Sequence, residues 1–348
     1  MSILRIQWQN RMETKTFEFE EKRLEREVRK RKAQRVLIQL PDGLKMEGPN
    51  LALIVKRAGA LAIVSADPCY GACDLAILDA KNLGVDLIVH YGHSPMVKEE
   101  RIPILYIEAK AKVSPKSAIK KAIPLLKNWN KIGLATTIQH VHTTEEAKNF
   151  LLKSGKNVAI GDAGHLKYAG QVTGCDYTNA KAISEEVEAF LLIGGGRFHA
   201  LGVALVTAKP VIVADPYERR AYVIDKEVRK TINQRWANIS EAKKARNFGI
   251  LIGLKSGQRR LELAMTIREK LESAGRDATL LALKEITPET LFEFPYIEAF
   301  VNTACPRVSI DDKTRFRRPV LTANETLVTL GEMSWEQLCK KGWFESII

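Results

Sequence analysis

Three cysteines flanked by glycine, alanine, proline or aspartate stand far apart in the chain. They are Cys73 in Tyr70-Gly71-Ala72-Cys73-Asp74, Cys175 in Thr173-Gly174-Cys175-Asp176 and Cys305 in Thr303-Ala304-Cys305-Pro306-Arg307. Separations of 102 and 130 residues are far too long for a local metal loop, but each is about the length of one small α/β unit. The spacing suggests one thiolate per repeated unit, converging on a shared centre. Soft thiolates suit zinc and iron–sulfur clusters alike, and any one of these cysteines taken alone reads as a buried packing residue. A cubane cluster normally takes four cysteines, so three ligands would leave one iron open to a substrate or cofactor. The chain also offers a local zinc option, Cys69-x-x-x-Cys73 with His90 and His93, but it gives Cys175 and Cys305 no role. Cys339 lacks such a setting and reads as a packing or surface residue.

A second chemical stretch is Gly194-Gly195-Gly196-Arg197-Phe198-His199, directly after an apolar run ending at Ile193. Glycines there let the backbone approach an anion, with helix N-terminal amides and Arg197 beside it. The plain alternative is a tight turn between strand and helix. Tyr91-Gly92-His93-Ser94 and Lys255-Ser256-Gly257-Gln258 stand at other strand ends; the latter lacks the phosphate-loop pattern, so no nucleotide triphosphatase is read here.

The elements that must position these residues repeat. Apolar runs bounded by turn residues predict strands at 36–40, 61–64, 86–90 and 104–107, with a helix at 48–58 between the first two and one at 114–129 closing the unit. The same sense returns with strands at 131–137, 157–160, 189–193 and 211–214 and a helix at 144–153, then a connecting helix at 225–246. It returns again with strands at 247–253, 279–281, 299–302 and 320–322 and a helix at 259–274, before a short tail. The expected fold is therefore α/β, with three repeated Rossmann-like domains whose parallel sheets stand in a pseudo-threefold arrangement around a central cluster. The expected division is a charged helical leader over 1–34, then domains at 35–130 (Cys73), 131–246 (Cys175) and 247–348 (Cys305). In the leader, Phe17, Phe19, Leu24 and Val28 mark an apolar stripe of roughly helical spacing.

Composition bounds the class. The 348 residues are 45% hydrophobic and 27% charged, enough for real cores and against disorder. No run approaches the ~18 apolar residues of a membrane span, and the start lacks a secretory h-region, so a cytoplasmic protein with no membrane association is expected. Five sparse cysteines argue against a disulfide framework. A net charge of +13 favours an acidic or ribosome-associated partner, while 7% aromatics and no recognition motif predict no direct nucleic-acid binding.

Together, Tyr70-Gly71-Ala72-Cys73-Asp74, Tyr91-Gly92-His93-Ser94, Gly194 to His199 and Thr303-Ala304-Cys305-Pro306-Arg307 make the chain resemble the archaeal diphthamide synthase family, the 2-(3-amino-3-carboxypropyl)histidine synthases, from about Arg35 onward. The resemblance implies a homodimer of three-domain subunits, each holding a [4Fe-4S] cluster on Cys73, Cys175 and Cys305. It also implies non-standard radical use of S-adenosylmethionine: its 3-amino-3-carboxypropyl group goes to an imidazole carbon of a histidine in translation elongation factor 2, and methylthioadenosine is released. Gly194, Gly195, Gly196, Arg197, His199 and His93 match family-like stretches and are the candidates for the S-adenosylmethionine pocket. By motif Cys69 is a spare thiol beside the cluster. Quinolinate synthase resembles the same three-domain plan, and a zinc-stapled basic interaction module is the non-enzymatic alternative.

Overall fold

The computed structural model describes residues 16–96, 101–311 and 316–344. The first sheet is built from β1 (Arg35–Gln39), β2 (Leu61–Val64), β3 (Leu87–Tyr91) and β4 (Ile104–Ile107), all parallel, in the order β2-β1-β3-β4. The second contains β5 (Lys131–Thr136), β6 (Asn157–Ala159), β7 (Ala189–Ile193), β8 (Val211–Asp215) and an antiparallel edge strand β9 (Arg220–Val223), in the order β6-β5-β7-β8-β9. The third contains β10 (Asn247–Gly253), β11 (Asp277–Leu283), β12 (Ala299–Asn302) and β13 (Val320–Thr322), in the order β11-β10-β12-β13.

One strand order thus occurs three times, with the first strand of each unit central and the second and third on its two sides. Chain direction across the sheet reverses between the first and third strands, which opens a crevice at their carboxyl ends, the place where open α/β sheets bind ligands. Strands β3, β7, β8, β12 and β13 are buried along their whole length, so they read as unbroken apolar runs rather than alternations. The expected three-unit α/β fold is the observed one. Among the described residues no helix is long and apolar enough to cross a membrane.

Several local expectations change. The leader helix covers Glu21–Arg31 and buries Leu24 and Val28. Phe17 and Phe19 lie before it in extended chain, where Phe17 bridges Ala111 and Phe19 packs on Tyr91; Glu20, with φ 48°, breaks the path between them. The helix expected at 114–129 runs over Lys116–Ala122 and tightens into a 3₁₀ turn at Ile123–Leu126, where Pro124 cannot supply a helical N–H. The long helix Asp225–Ala242 buries Ile239 and Ala242 in the same core as Phe248 and Ile250 of the third sheet, so it packs forward as well as connecting. Where a tail was expected there are two further helices, Ala323–Thr329 and Trp335–Lys341. Each begins with a reciprocal capping box, Thr322 with Glu325 and Ser334 with Gln337.

Candidate metal centre

Each of the three cysteine turns is fastened by a polar side chain. Beyond β2, Gln39 at the end of β1 donates to the Asp74 carbonyl at 2.6 Å and accepts from the Ala76 amide at 3.3 Å. In the second unit the Thr173 hydroxyl accepts from the amides of Cys175 at 3.4 Å and Asp176 at 3.0 Å, a local turn typical of threonine. In the third, Asn302 at the end of β12 donates to the Cys305 carbonyl at 2.6 Å and accepts from Ala304 N–H at 2.9 Å. The placements are not equivalent: Cys73 and Cys175 follow the second strand of their sheets, whereas Cys305 follows the third. By strand order the counterparts of the Cys305 turn are Tyr91-Gly92-His93-Ser94 after β3 and Gly194 to His199 after β7.

The turns also lock to one another across units. The Cys73 carbonyl accepts Gly257 N–H at 2.8 Å and the Ser256 hydroxyl at 3.3 Å, while Lys255 reaches Asp74 at 3.0 Å and Glu285 at 2.7 Å. Gln258 places its amide nitrogen 3.4 Å from the Cys73 sulfur. Gly174, just before Cys175, has no room for a Cβ because the Phe198 ring would lie 2.9 Å from it. Over the same ring sits the Arg307 guanidinium, 3.3 Å from the centroid, donating also to the Phe198 carbonyl at 3.0 Å and to Asp311 at 2.9 Å.

The three thiols are half-buried and feel each other electrostatically. Burial pushes the Cys175 thiol up, and the neighbouring Cys73 and Cys305 push it further. Cys305 is raised to about 11 by burial and then by Cys73. Cys73 is raised by burial, against which the Gln258 hydrogen bond works. Three converging thiols that resist ionisation become thiolates only when a cation compensates them, and their sulfur donors fit a soft metal group. With one sulfur from each unit, the set fits a cluster that keeps one iron free of protein.

The other expected site residues divide. His93 and His199 are each held neutral by their surroundings, His93 lowered to about 4 by burial and His199 to about 3 by burial, then the Arg307 charge and His93. Gly194 packs against Thr137 and Gly195 against the Tyr217 ring. Gly196 takes φ +73° and donates its N–H to Asp215 at 3.2 Å, so that amide meets an anion of the chain itself. Arg197 is exposed, paired with Glu227 at 3.2 Å and stacked on Tyr222. Of the local zinc set, Cys69, His90 and His93 come together with ligand atoms within 4.8 Å of one another, whereas Cys73 engages Gln258. Cys339 packs at the edge of the third core, as expected. Gln258 and Arg307 were not singled out as site residues, although each lies in a strand-end stretch that was, and Arg307 follows Cys305-Pro306 directly.

Fold and site together define an α/β protein of three like units with one cysteine turn from each facing a common centre. More narrowly, a family model described as "Putative diphthamide synthesis protein" matches residues 40–339, and the chain belongs to that family. It is 40% identical over 308 residues to the 2-(3-amino-3-carboxypropyl)histidine synthase of Pyrococcus horikoshii, covering 88% of each chain. To subunit 1 of the Mus musculus enzyme of that name it is 30% identical over 319 residues, 89% of this chain and 71% of the other. Its fold is similar to the crystal structure of Dph2 from Pyrococcus horikoshii with a 4Fe-4S cluster, with a TM-score of 0.86, 37% identity, and 95% and 94% of the two chains covered. The family match decides between the two enzyme families that the fold plan left open.

Proposed function

We propose that this chain is a 2-(3-amino-3-carboxypropyl)histidine synthase that holds a [4Fe-4S] cluster on Cys73, Cys175 and Cys305, uses S-adenosylmethionine, and modifies a histidine of translation elongation factor 2. The observation that carries the reading is a half-buried cysteine in a strand-end turn of each unit, in a chain similar to a solved protein with such a cluster. The chemistry such a group supplies is one-electron cleavage of the bond between sulfur and the methionine γ-carbon, which releases methylthioadenosine and passes the 3-amino-3-carboxypropyl radical to an imidazole carbon.

What the chain's own residues contribute is orientation and charge. Gln258 donates to the Cys73 sulfur, and the Arg307 guanidinium, fixed on the Phe198 ring, puts a positive charge beside His199. His93 and His199, neutral at physiological pH, are suited to hydrogen-bond the amino and carboxylate groups of S-adenosylmethionine. Gly194, Gly195 and Gly196 shape the turn that carries His199, and Arg197 lies on its outer side with Glu227. The working division remains 1–34, 35–130, 131–246 and 247–348, with Asp225–Ala242 shared by packing between the last two. A homodimer in the cytoplasm completes the proposal, its basic surface suited to an acidic protein substrate. Binding of S-adenosylmethionine to the cluster-loaded protein tests the pocket: His93→Ala and His199→Ala weaken it, and unchanged affinity in both removes these residues from it.

A further inference from the structure

We propose that Cys69, His90 and His93 form a second metal site, one that uses none of the three cluster cysteines and adjoins the S-adenosylmethionine pocket through His93, and that it takes a zinc-class divalent cation. Their ligand atoms all lie within 4.8 Å of one another, and they come from three places: the loop after β2, the strand β3 and the loop after β3. Cys69 is 4% exposed and His90 fully buried, so the group belongs to the interior and not to a solvated surface.

The protonation pattern is set for coordination. Gln39 donates through its Nε2 to the Asp74 carbonyl and accepts through Oε1 from the Ala76 amide, which fixes the amide's orientation. The atom facing His90 Nδ1 at 3.0 Å is therefore Oε1, an acceptor. His90 must carry its proton on Nδ1, leaving the Nε2 lone pair directed at His93, whose Nδ1 is 2.9 Å away. An imidazole whose far nitrogen donates to a fixed oxygen is the arrangement that orients metal-bound histidines.

The chemistry of the donors selects the cation. One thiolate and two imidazoles suit zinc and exclude calcium or magnesium, which take oxygen ligands. Both histidines are held neutral by burial, the form that binds metal, while burial and then the Asp74 charge raise the Cys69 thiol to about 12, so its proton leaves when a cation arrives. On binding, a zinc–sulfur bond forms and the Cys69 thiol proton leaves to solvent. Three protein donors leave the fourth tetrahedral position for an exogenous ligand.

The test is metal analysis of the full chain prepared anaerobically with its iron and sulfide in place, then dialysed against buffered zinc. About one equivalent of zinc is expected beyond the iron, with one sulfur and two nitrogens around it by X-ray absorption. Cys69→Ser and His90→Gln should each lose at least tenfold in zinc affinity with iron and sulfide unchanged, which also reports that the variants fold. The variant Cys73→Ser/Cys175→Ser/Cys305→Ser should lose its iron and keep the zinc. Absence of zinc uptake, an all-sulfur zinc shell, or zinc that survives both Cys69→Ser and His90→Gln overturns the proposal. None of these outcomes depends on whether the chain modifies elongation factor 2.

Discussion

The side-chain amide of Gln258 lies 3.4 Å from the sulfur of Cys73, although the two residues stand in turns that follow strands of different sheets. A donor at a ligating sulfur stabilises the extra negative charge of a reduced cluster. Gln258→Leu removes one hydrogen bond of about 1 kcal/mol, so the reduction potential should fall by roughly 40 mV. A redox titration followed by EPR reads this, and an unmoved potential would show that the contact carries no electrostatic weight.

Cys69 gathers with His90 and His93, whereas Cys73, four residues on, is the thiol that faces Cys175 and Cys305. Iron content should accordingly collapse in Cys73→Ala, Cys175→Ala and Cys305→Ala, and stay near that of the parent in Cys69→Ala. Iron and sulfide assays check this; an iron-free Cys69→Ala beside a fully loaded Cys73→Ala would reverse the assignment.

Arg235 and Glu325 form an ion pair with neither side chain exposed, joined at 2.7 and 2.5 Å. Arg235 also donates to the Ser309 carbonyl, in the helix that begins just after Cys305, at 2.6 Å and to the Val320 carbonyl at 2.8 Å. Arg235→Ala leaves a buried carboxylate and two carbonyls without their partner and should cost about 3–5 kcal/mol. Replacing both residues, as in Arg235→Met/Glu325→Leu, should cost less than the single change. Denaturant unfolding distinguishes the two, and equal losses would contradict the buried-charge account.

His140 is fully buried, bonded to the Tyr217 hydroxyl at 3.1 Å, and burial lowers it from 6.5 to about 4. Between these values the unfolded chain binds a proton that the folded chain refuses, so stability falls as pH drops through this window and is unaffected above it. The contribution is on the order of 3 kcal/mol. In unfolding measured from pH 7 down to pH 4, His140→Gln should show a shallower fall than the parent; parallel curves would mean that His140 titrates normally.

Much of the frame was legible because parallel strands buried on both faces must be apolar runs, and 189–193, 247–253 and 299–302 begin and end where expected. The edge strand β9 escaped because Arg220–Val223 is half-exposed and short, with no apolar run to mark it. The cysteine turns were legible by residue type, but their inequivalent positions in the strand order follow from topology. Arg197 shows what motif reading leaves out: the glycine turn marks its position, but its partners, the carboxylate of Glu227 and the face of Tyr222, come from later elements that no local pattern names. Gln258 and Arg307 contact partners up to 185 residues away, a relationship no local pattern contains.

The most direct test is to reduce the anaerobically purified protein and mix it with S-adenosylmethionine and its elongation factor 2, then read small-molecule products by chromatography and the factor by mass spectrometry. The account predicts a brown, oxygen-sensitive protein with about four irons per chain, release of methylthioadenosine, and a 3-amino-3-carboxypropyl group added to one histidine. A colourless protein without iron, or one that releases 5′-deoxyadenosine and leaves the factor unmodified, would contradict it.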